Sequence, residues 1–357
     1  MFVSEALTYV QQRFNMASVG TFLFELRGQF DGVAIRFDAS ADRSKQLRFT
    51  AFRPRGSDIA LRVEPSGMFA GAARFATGDG EFDGIFSRSC ALGDEAAAEA
   101  IVDSAVRAEL RSISRLADAA LSDHWVTATS AQSTLSGPEL EQLARASIAA
   151  ALAADRATDA LDAPAALVRL GVDRALEDAA RAHSLALRRH PLAAGGTTER
   201  GDSLALYFAA NRSPASLLDP LAFTFDAGCL ARVSWLEPLA GALAVRPASL
   251  IDRAQAALGY GDIEVGDPEF DKAFTITARV DGGADAARSV VVSQLNARAR
   301  SLLLRARQLG IECSLDERQL FARGPLPKSA ADVHELVRVL VGLGPALRDR
   351  TSTNPYR

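Results

Sequence analysis

The sequence predicts an α+β fold written twice: two related halves, each an antiparallel strand meander followed by a strand, a long helix, a β-hairpin and a last helix. Three observations carry this expectation. Residues 78–86 read GDGEFDGIF and residues 266–274 read GDPEFDKAF. Each phrase is preceded by short runs that alternate apolar and polar residues between Gly, Pro and Asp, the period-two mark of half-buried strands. Each is followed by a polar break and a long Ala-, Leu- and Arg-rich run of helical character.

A chain of 357 residues, 48% hydrophobic and 24% charged, exceeds the usual size of one domain and can bury ordinary cores. Residues 1–18 hold an N-terminal amphipathic helix, because Phe2, Val3, Ala6, Leu7, Val10 and Phe14 recur at spacings of three and four. Nothing in this segment has the basic start, apolar core and cleavage site of an export signal. Residues 19–157 form the first α+β repeat. Its strands lie in TFLFELRGQF, DGVAIRFDA, KQLRFTAFRP and DIALRVEP, its long helix in AAAEAIVDSAVRAELRSISRLADAAL, its hairpin in HWVTATSAQSTLSGP and its last helix in PELEQLARASIAAALAA.

Residues 158–197 read as a helical linker, apolar at Leu167, Leu170, Val172, Leu176, Ala180 and Leu185, with AAGGTTERGD (193–202) as the flexible connector near the boundary. Residues 198–350 form the second α+β repeat. DSLALYFAANR, LAFTFDA, LARVSWLEP and LAGALAVRP supply strands; ADAARSVVVSQLNARARSLLLRARQLG, GIECSLDERQLFARGP and KSAADVHELVRVLVGLGPAL repeat the helix, hairpin and helix. Residues 351–357 read as a disordered tail. With a one-residue slip, Val102, Ala108, Arg111, Ser112 and Ile113 fall opposite Val291, Ala297, Arg300, Ser301 and Leu302.

The phrase GDPEFDxxF, followed by a glycine or acidic break, an Ala/Leu/Arg helix, a hairpin and a last helix, resembles an uncharacterised family of bacterial proteins of unknown function. The resemblance covers residues 202–349 best and residues 20–155 more weakly, where Gly80 replaces the proline and Gly84 follows the second aspartate. It implies no activity. A bacterial source also fits the basic residues, since among forty only Lys45, Lys272 and Lys328 are lysines, an arginine bias of GC-rich coding.

The candidate site residues are the carboxylates of the two phrases: Asp79, Glu81 and Asp83, and Asp267, Glu269 and Asp271. In an extended segment each trio would share one face and could cage Ca²⁺ or Mg²⁺. The competing reading is a turn whose Asp side chains satisfy backbone amides while Phe82, Phe86, Phe270 and Phe274 enter the core. A calcium hand is disfavoured because Cys90 stands where the bidentate Glu belongs, and Lys272 and Ala278 stand at the matching places of the second copy.

Other chemistries find no motif. Cys90, Cys229 and Cys313 are odd in number and widely spaced, and His124, His183, His190 and His334 form no metal pattern. No phosphate loop, dinucleotide loop or serine-nucleophile motif occurs. A net charge of -4 and a pI of about 5.7 disfavour nucleic acid and anionic lipid as general partners. Arg107, Arg111 and Arg115 read as a solvated helix face with local ion pairs.

The expectation is therefore a soluble, cytoplasmic, non-catalytic binding or scaffolding module, its halves packed as an intramolecular pseudo-dimer. No cofactor and no membrane contact are expected; the partner is a protein or small ligand, and the first helix and linker helix offer faces for a homo-oligomer. The alternative is a metal-dependent or carboxylate-based enzyme using the duplicated acidic motifs.

Overall fold

The computed structural model of the chain describes residues 2–18, 24–39, 46–67, 74–131, 135–198, 201–210, 213–214, 224–225, 227–248, 263–280 and 283–349. It divides into two compact units, Met1–Ala166 with Arg189–Pro191 and Ala210–Asp226, and Leu167–Arg188 with Leu192–Ala209 and Ala227–Arg357.

Unit 1 opens with helix α1 (Phe2–Arg13) and strands β1 (Ala17–Ser18), β2 (Phe24–Phe30), β3 (Val33–Ala39), β4 (Gln46–Phe52) and β5 (Arg62–Pro65). Then come α2 (Gly80–Ile85), β6 (Phe86–Ser89), α3 (Glu95–Ile101), α4 (Ser104–Ser114), β7 (Asp118–Ser122), β8 (Trp125–Ala131) and α5 (Gly137–Thr158), with the short α6 (Ala165–Arg169) next in the chain. All pairings in its sheet are antiparallel, in the order β1-β2-β3-β4-β8-β7-β5-β6.

Unit 2 repeats the plan with α7 (Val172–Ala182), β9 (Ala186–Arg188), β10 (Leu192–Thr197), β11 (Ser203–Ala209), β14 (Gly228–Ser234), β15 (Ala244–Pro247), α8 (Pro268–Ala273) and β16 (Phe274–Thr277). It ends with α9 (Ala284–Gln294), α10 (Ala297–Gln308), β17 (Glu312–Leu315), β18 (Gln319–Gly324) and α11 (Ala330–Arg348). Its antiparallel sheet runs β9-β10-β11-β14-β18-β17-β15-β16, the unit 1 order strand for strand. In the 210–226 segment, which belongs to unit 1, two short strands, β12 (Ser213–Pro214) and β13 (Thr224–Phe225), pair with each other.

The α+β class with two similar halves thus holds, and the differences from the sequence reading are local. In unit 1 the meander comprises β1 to β4, and the strand DIALRVEP sits across the β7–β8 hairpin instead of beside β4. AAGGTT, read as part of a flexible connector, is strand β10, hydrogen-bonded from Leu192 to Thr197 along β11. Its glycines suit a place where backbones approach closely: a Cβ on Gly195 would stand 3.1 Å from the Leu204 carbonyl oxygen. The helix within the linker stretch is α7, which precedes its sheet as α1 precedes the other. Most of LAFTFDA and the tail 351–357 lie outside the described residues.

Each long helical run also breaks in two. Val102 and Leu295 end α3 and α9 with matching backbone angles, and the next residue, Asp103 or Asn296, caps α4 or α10 by accepting from the N–H of Val106 or Ala299. This registers Arg107, not Arg111, with Arg300: each guanidinium donates to the carbonyl that ends the preceding helix, at Val102 or Leu295. The one-residue slip inferred from helix composition is therefore one helical turn off in α4 and α10.

One continuous core fills unit 1, from Leu7, Val10 and Phe14 of α1 through Ile35, Phe37 and Phe49 of the sheet to Leu140, Leu143 and Ile148 of α5. Inside it Arg53, just after β4, is buried and hydrogen-bonded throughout. Its Nε reaches Asp155 of α5 at 3.3 Å, and its terminal nitrogens reach Ser57, Thr158 and the carbonyls of Ser122 and Ala154. Burial lowers its pKa, opposed by the charges of Asp155 and Asp123. Unit 2 has the pair with its polarity exchanged: Asp202 bonds Arg348 of α11, and Trp235 follows β14 where Arg53 follows β4.

At the surface of unit 1, Glu141 of α5 holds α1 by accepting from Tyr9 at 2.7 Å and Arg13 at 2.9 Å, with Arg145 on its other side. Arg13 first, then Tyr9 and Arg145, bring its pKa down to about 2. Because the folded value lies below the free value of about 4.3, its contribution is complete above that pH and is lost as pH falls towards 2. Glu141→Gln is expected to lower the thermal midpoint at neutral pH, with the gap to wild type closing as pH falls from about 4.5 to about 2. Breaking the buried pair is expected to be harsher. Asp155→Ala should cost about 3–5 kcal/mol in urea unfolding, while Arg53→Met with Asp155→Leu should recover much of that loss.

Candidate functional site

The two acidic phrases form short helices instead of extended segments. Asp79 and Asp267 are the N-caps of α2 and α8, each accepting from the N–H three residues on, Phe82 at 3.1 Å and Phe270 at 3.2 Å. Gly80 and Pro268 then occupy the first helical position, where the N–H is unused, which explains why the copies differ there. Gly78 and Gly266 precede the caps at φ 73° and 79°, a left-handed backbone that glycine adopts without strain.

The second oxygen of each cap meets an arginine. Arg111 donates to Asp79 Oδ2 at 2.8 Å with Arg107 at 3.4 Å, and Arg300 donates to Asp267 Oδ2 at 3.0 Å. The Phe82 N–H, then Arg111, hold the Asp79 carboxyl below its usual range. Arg107 and Arg111 are thus partly buried structural groups rather than a solvated stripe.

The last aspartates are occupied as well. Asp83 accepts from Thr77 Oγ1 at 2.6 Å and pairs with Arg88 at 2.6 Å; Asp271 accepts from the N–H groups of Val265, Gly266 and Asp267 at 3.0–3.1 Å. Only Glu81 and Glu269 turn outward, Glu81 with Arg111 at 4.0 Å. The phenylalanines stack below in equivalent pairs, Phe82 with Phe86 at 4.6 Å and Phe270 with Phe274 at 4.8 Å, all four buried. Helical geometry separates carboxylates that an extended strand would place on one face. Among the described residues no group of three or more His, Cys, Asp or Glu could hold a metal ion.

The remaining candidates are dispersed. His124 is buried beside Gly56, where an added Cβ would strike its ring; His190 is buried with Nδ1 at 2.7 Å from the Ser57 carbonyl; His334 is exposed. All three cysteines are buried free thiols, and desolvation raises Cys90 to about 11 and Cys229 and Cys313 to about 12.

What the sequence reading missed is a groove in unit 2, of about 750 Å³, along α10 and α11 and lined also by Asp267 and Glu269 of the α8 segment and by His183 at the end of α7. Two tethers set the helices antiparallel. Asn296, before α10, donates to the carbonyls of Ala346 and Asp349 at the end of α11, whereas Arg305, late in α10, donates to Glu335 in the second turn of α11. Arg298, Ser301, Arg305 and Gln308 form one wall, Arg338 lies on the other, and Leu302, Leu304, Val341, Gly342 and Pro345 supply apolar surface. Arg338 first, then Arg305, bring Glu335 down to about 2. The spacing of Arg298, Ser301 and Arg305 is legible in ARARSLLLRARQ, but the facing residues lie over thirty positions on.

No protein-family model matches the chain, and no curated protein matches it. Among solved structures, mycobacterial trehalose monomycolate transport factor A is similar at 8% identity over 43% of this chain and 93% of its own, with a TM-score of 0.33. That score carries no argument about fold or function.

Loss of a phrase cap has a defined cost. Asp267→Ala is expected to destabilise unit 2 by about 0.5–2 kcal/mol, read by urea unfolding, and Asp79→Ala to lower the thermal midpoint of unit 1.

Proposed function

We propose that the chain is a non-catalytic binding or scaffolding module in which the acidic phrases are structural joints. The observation that supports it most is the duplicated use of the aspartates. In each unit both are engaged by backbone N–H groups, hydroxyl or guanidinium, leaving one outward carboxylate, too few for an oxygen cage or an acid–base pair. The groove of unit 2 supplies the concave surface that a binding role needs. A reducing cytoplasm suits three free thiols, and no described helix is long and apolar enough to cross a membrane.

Titration calorimetry with Ca²⁺, Mg²⁺ and Mn²⁺ tests this reading. Neither the wild type nor the Asp83→Asn/Asp271→Asn variant should release binding heat. Heat in the wild type that vanishes in the variant would overturn the proposal in favour of a metal site on the acidic phrases.

A further inference from the structure

The groove of unit 2 is not a by-product of the duplication. The matching helix registers place Ala105 opposite Arg298, Ser112 opposite Arg305, Ala149 opposite Gly342 and Leu152 opposite Pro345. Arg338 does have a counterpart, Arg145, but that side chain is committed to Glu141 and to the rings of Phe14 and Phe30. Unit 1 in turn carries Arg111 and Arg115 where unit 2 has Leu304 and Gln308, so unit 2 has moved its guanidiniums around the helix, to Arg298 and Arg305, without adding to their number.

The charges on the groove of unit 2 are incompletely neutralised. Arg300 and Asp267 cancel at the α8 end, and Arg305 and Arg338 share the single carboxylate of Glu335, their side chains 49% and 63% exposed. Arg298 is exposed and has no ion-pair or hydrogen-bond partner among the described residues. The outward carboxylate on the lining is Glu269 of α8. On α11, Val341 and Pro345 supply apolar surface beside these cations.

The occupant's shape follows from the walls. Arg298 to Gln308 on α10 spans about 15 Å at 1.5 Å per residue, close to three helical turns. A long, shallow, open trough with apolar floor and basic rim suits a linear amphipathic segment better than an enclosed small molecule.

Building on the binding-module reading, we propose that this groove docks an acidic amphipathic helix of a partner protein. Its carboxylates would meet Arg298, Arg305 and Arg338, and its apolar side chains would lie on Val341 and Pro345 of α11. Opposite charges on the rim set orientation and salt dependence, while the apolar strip supplies affinity.

The test is fluorescence anisotropy with the full chain and a labelled Ala/Leu peptide of about twelve residues, three turns, carrying Glu at helical spacing on one face. The same peptide with Gln for Glu, inorganic phosphate and a single-stranded polynucleotide serve as comparisons. The Glu peptide should bind, weaken with added salt, and lose about tenfold in affinity, equivalent to 1.4 kcal/mol, in Arg298→Glu, while Val341→Trp should abolish binding. Arg298 makes no contact whose loss would unfold the protein, so its variant decides the matter even where Val341→Trp is misfolded by circular dichroism.

No binding of the Glu peptide, equal binding of the Gln peptide, unchanged affinity in Arg298→Glu, or displacement by phosphate or polynucleotide would overturn the groove proposal. Such a result with calorimetry still silent to divalent cations leaves the binding-module reading standing. Cation heat lost in Asp83→Asn/Asp271→Asn overturns that reading instead.

Discussion

Each unit is joined at one aspartate, Asp79 or Asp267, which caps a short helix with one oxygen and holds an arginine of the following long helix with the other. The short helix must start there so that its two phenylalanines stack beneath it, and the long helix must lie within guanidinium reach of the cap. Strand β6 or β16 begins at the second of those phenylalanines, so the same joint sets where the edge strand enters its sheet. A charge-assisted bond at a helix start uses an otherwise orphaned donor and favours negative charge at that end. The duplicated phrase is thus the local solution to one packing problem, met twice.

Deeper in each unit a second constraint was met in two ways. The last helix is pinned to the sheet by an Arg–Asp pair, buried in unit 1 and partly buried in unit 2, with the arginine beside the sheet in unit 1 and on the helix in unit 2. In unit 1 the acid sits near the C-terminal end of α5, where the helix dipole disfavours it. Arg53 compensates by also donating to the Ala154 carbonyl and Thr158 hydroxyl in that last turn. In unit 2 Arg348 already has the favoured sign for a helix C-terminus, and Asp202 also accepts from the N–H of Leu236. Gly344 leaves room for this contact, since a Cβ there would collide with Asp202.

Much of the strand and helix pattern was legible because period-two and helical spacing report burial on one face, as in the alternation of β11 and β17. The break inside each long helical run was hidden, since neither Val102 nor Leu295 is a helix breaker and Asp103 or Asn296 is read as a cap only once the chain direction changes. The arginine register was misjudged for the same reason: residue identity along α4 and α10 favoured Arg111, whereas the carbonyl at the end of the preceding helix selects Arg107. The candidate carboxylates, read in sequence as either a turn or an extended cage, lie at and within short helices, and their occupation by Thr77, Arg88, Arg111 and Arg300 depends on residues distant in space or in register.

By itself the sequence determined the α+β class, the two related halves, the place of the phrase before a strand and the lack of a known catalytic motif, because these follow from periodicity and repetition along the chain. The tertiary structure alone decided which carboxylate oxygens are engaged, which arginine serves which cap, and that Arg298, Arg305 and Arg338 of unit 2 line one groove. Those depend on side chains from separate helices converging within hydrogen-bond or van der Waals distance. No local pattern encodes that convergence.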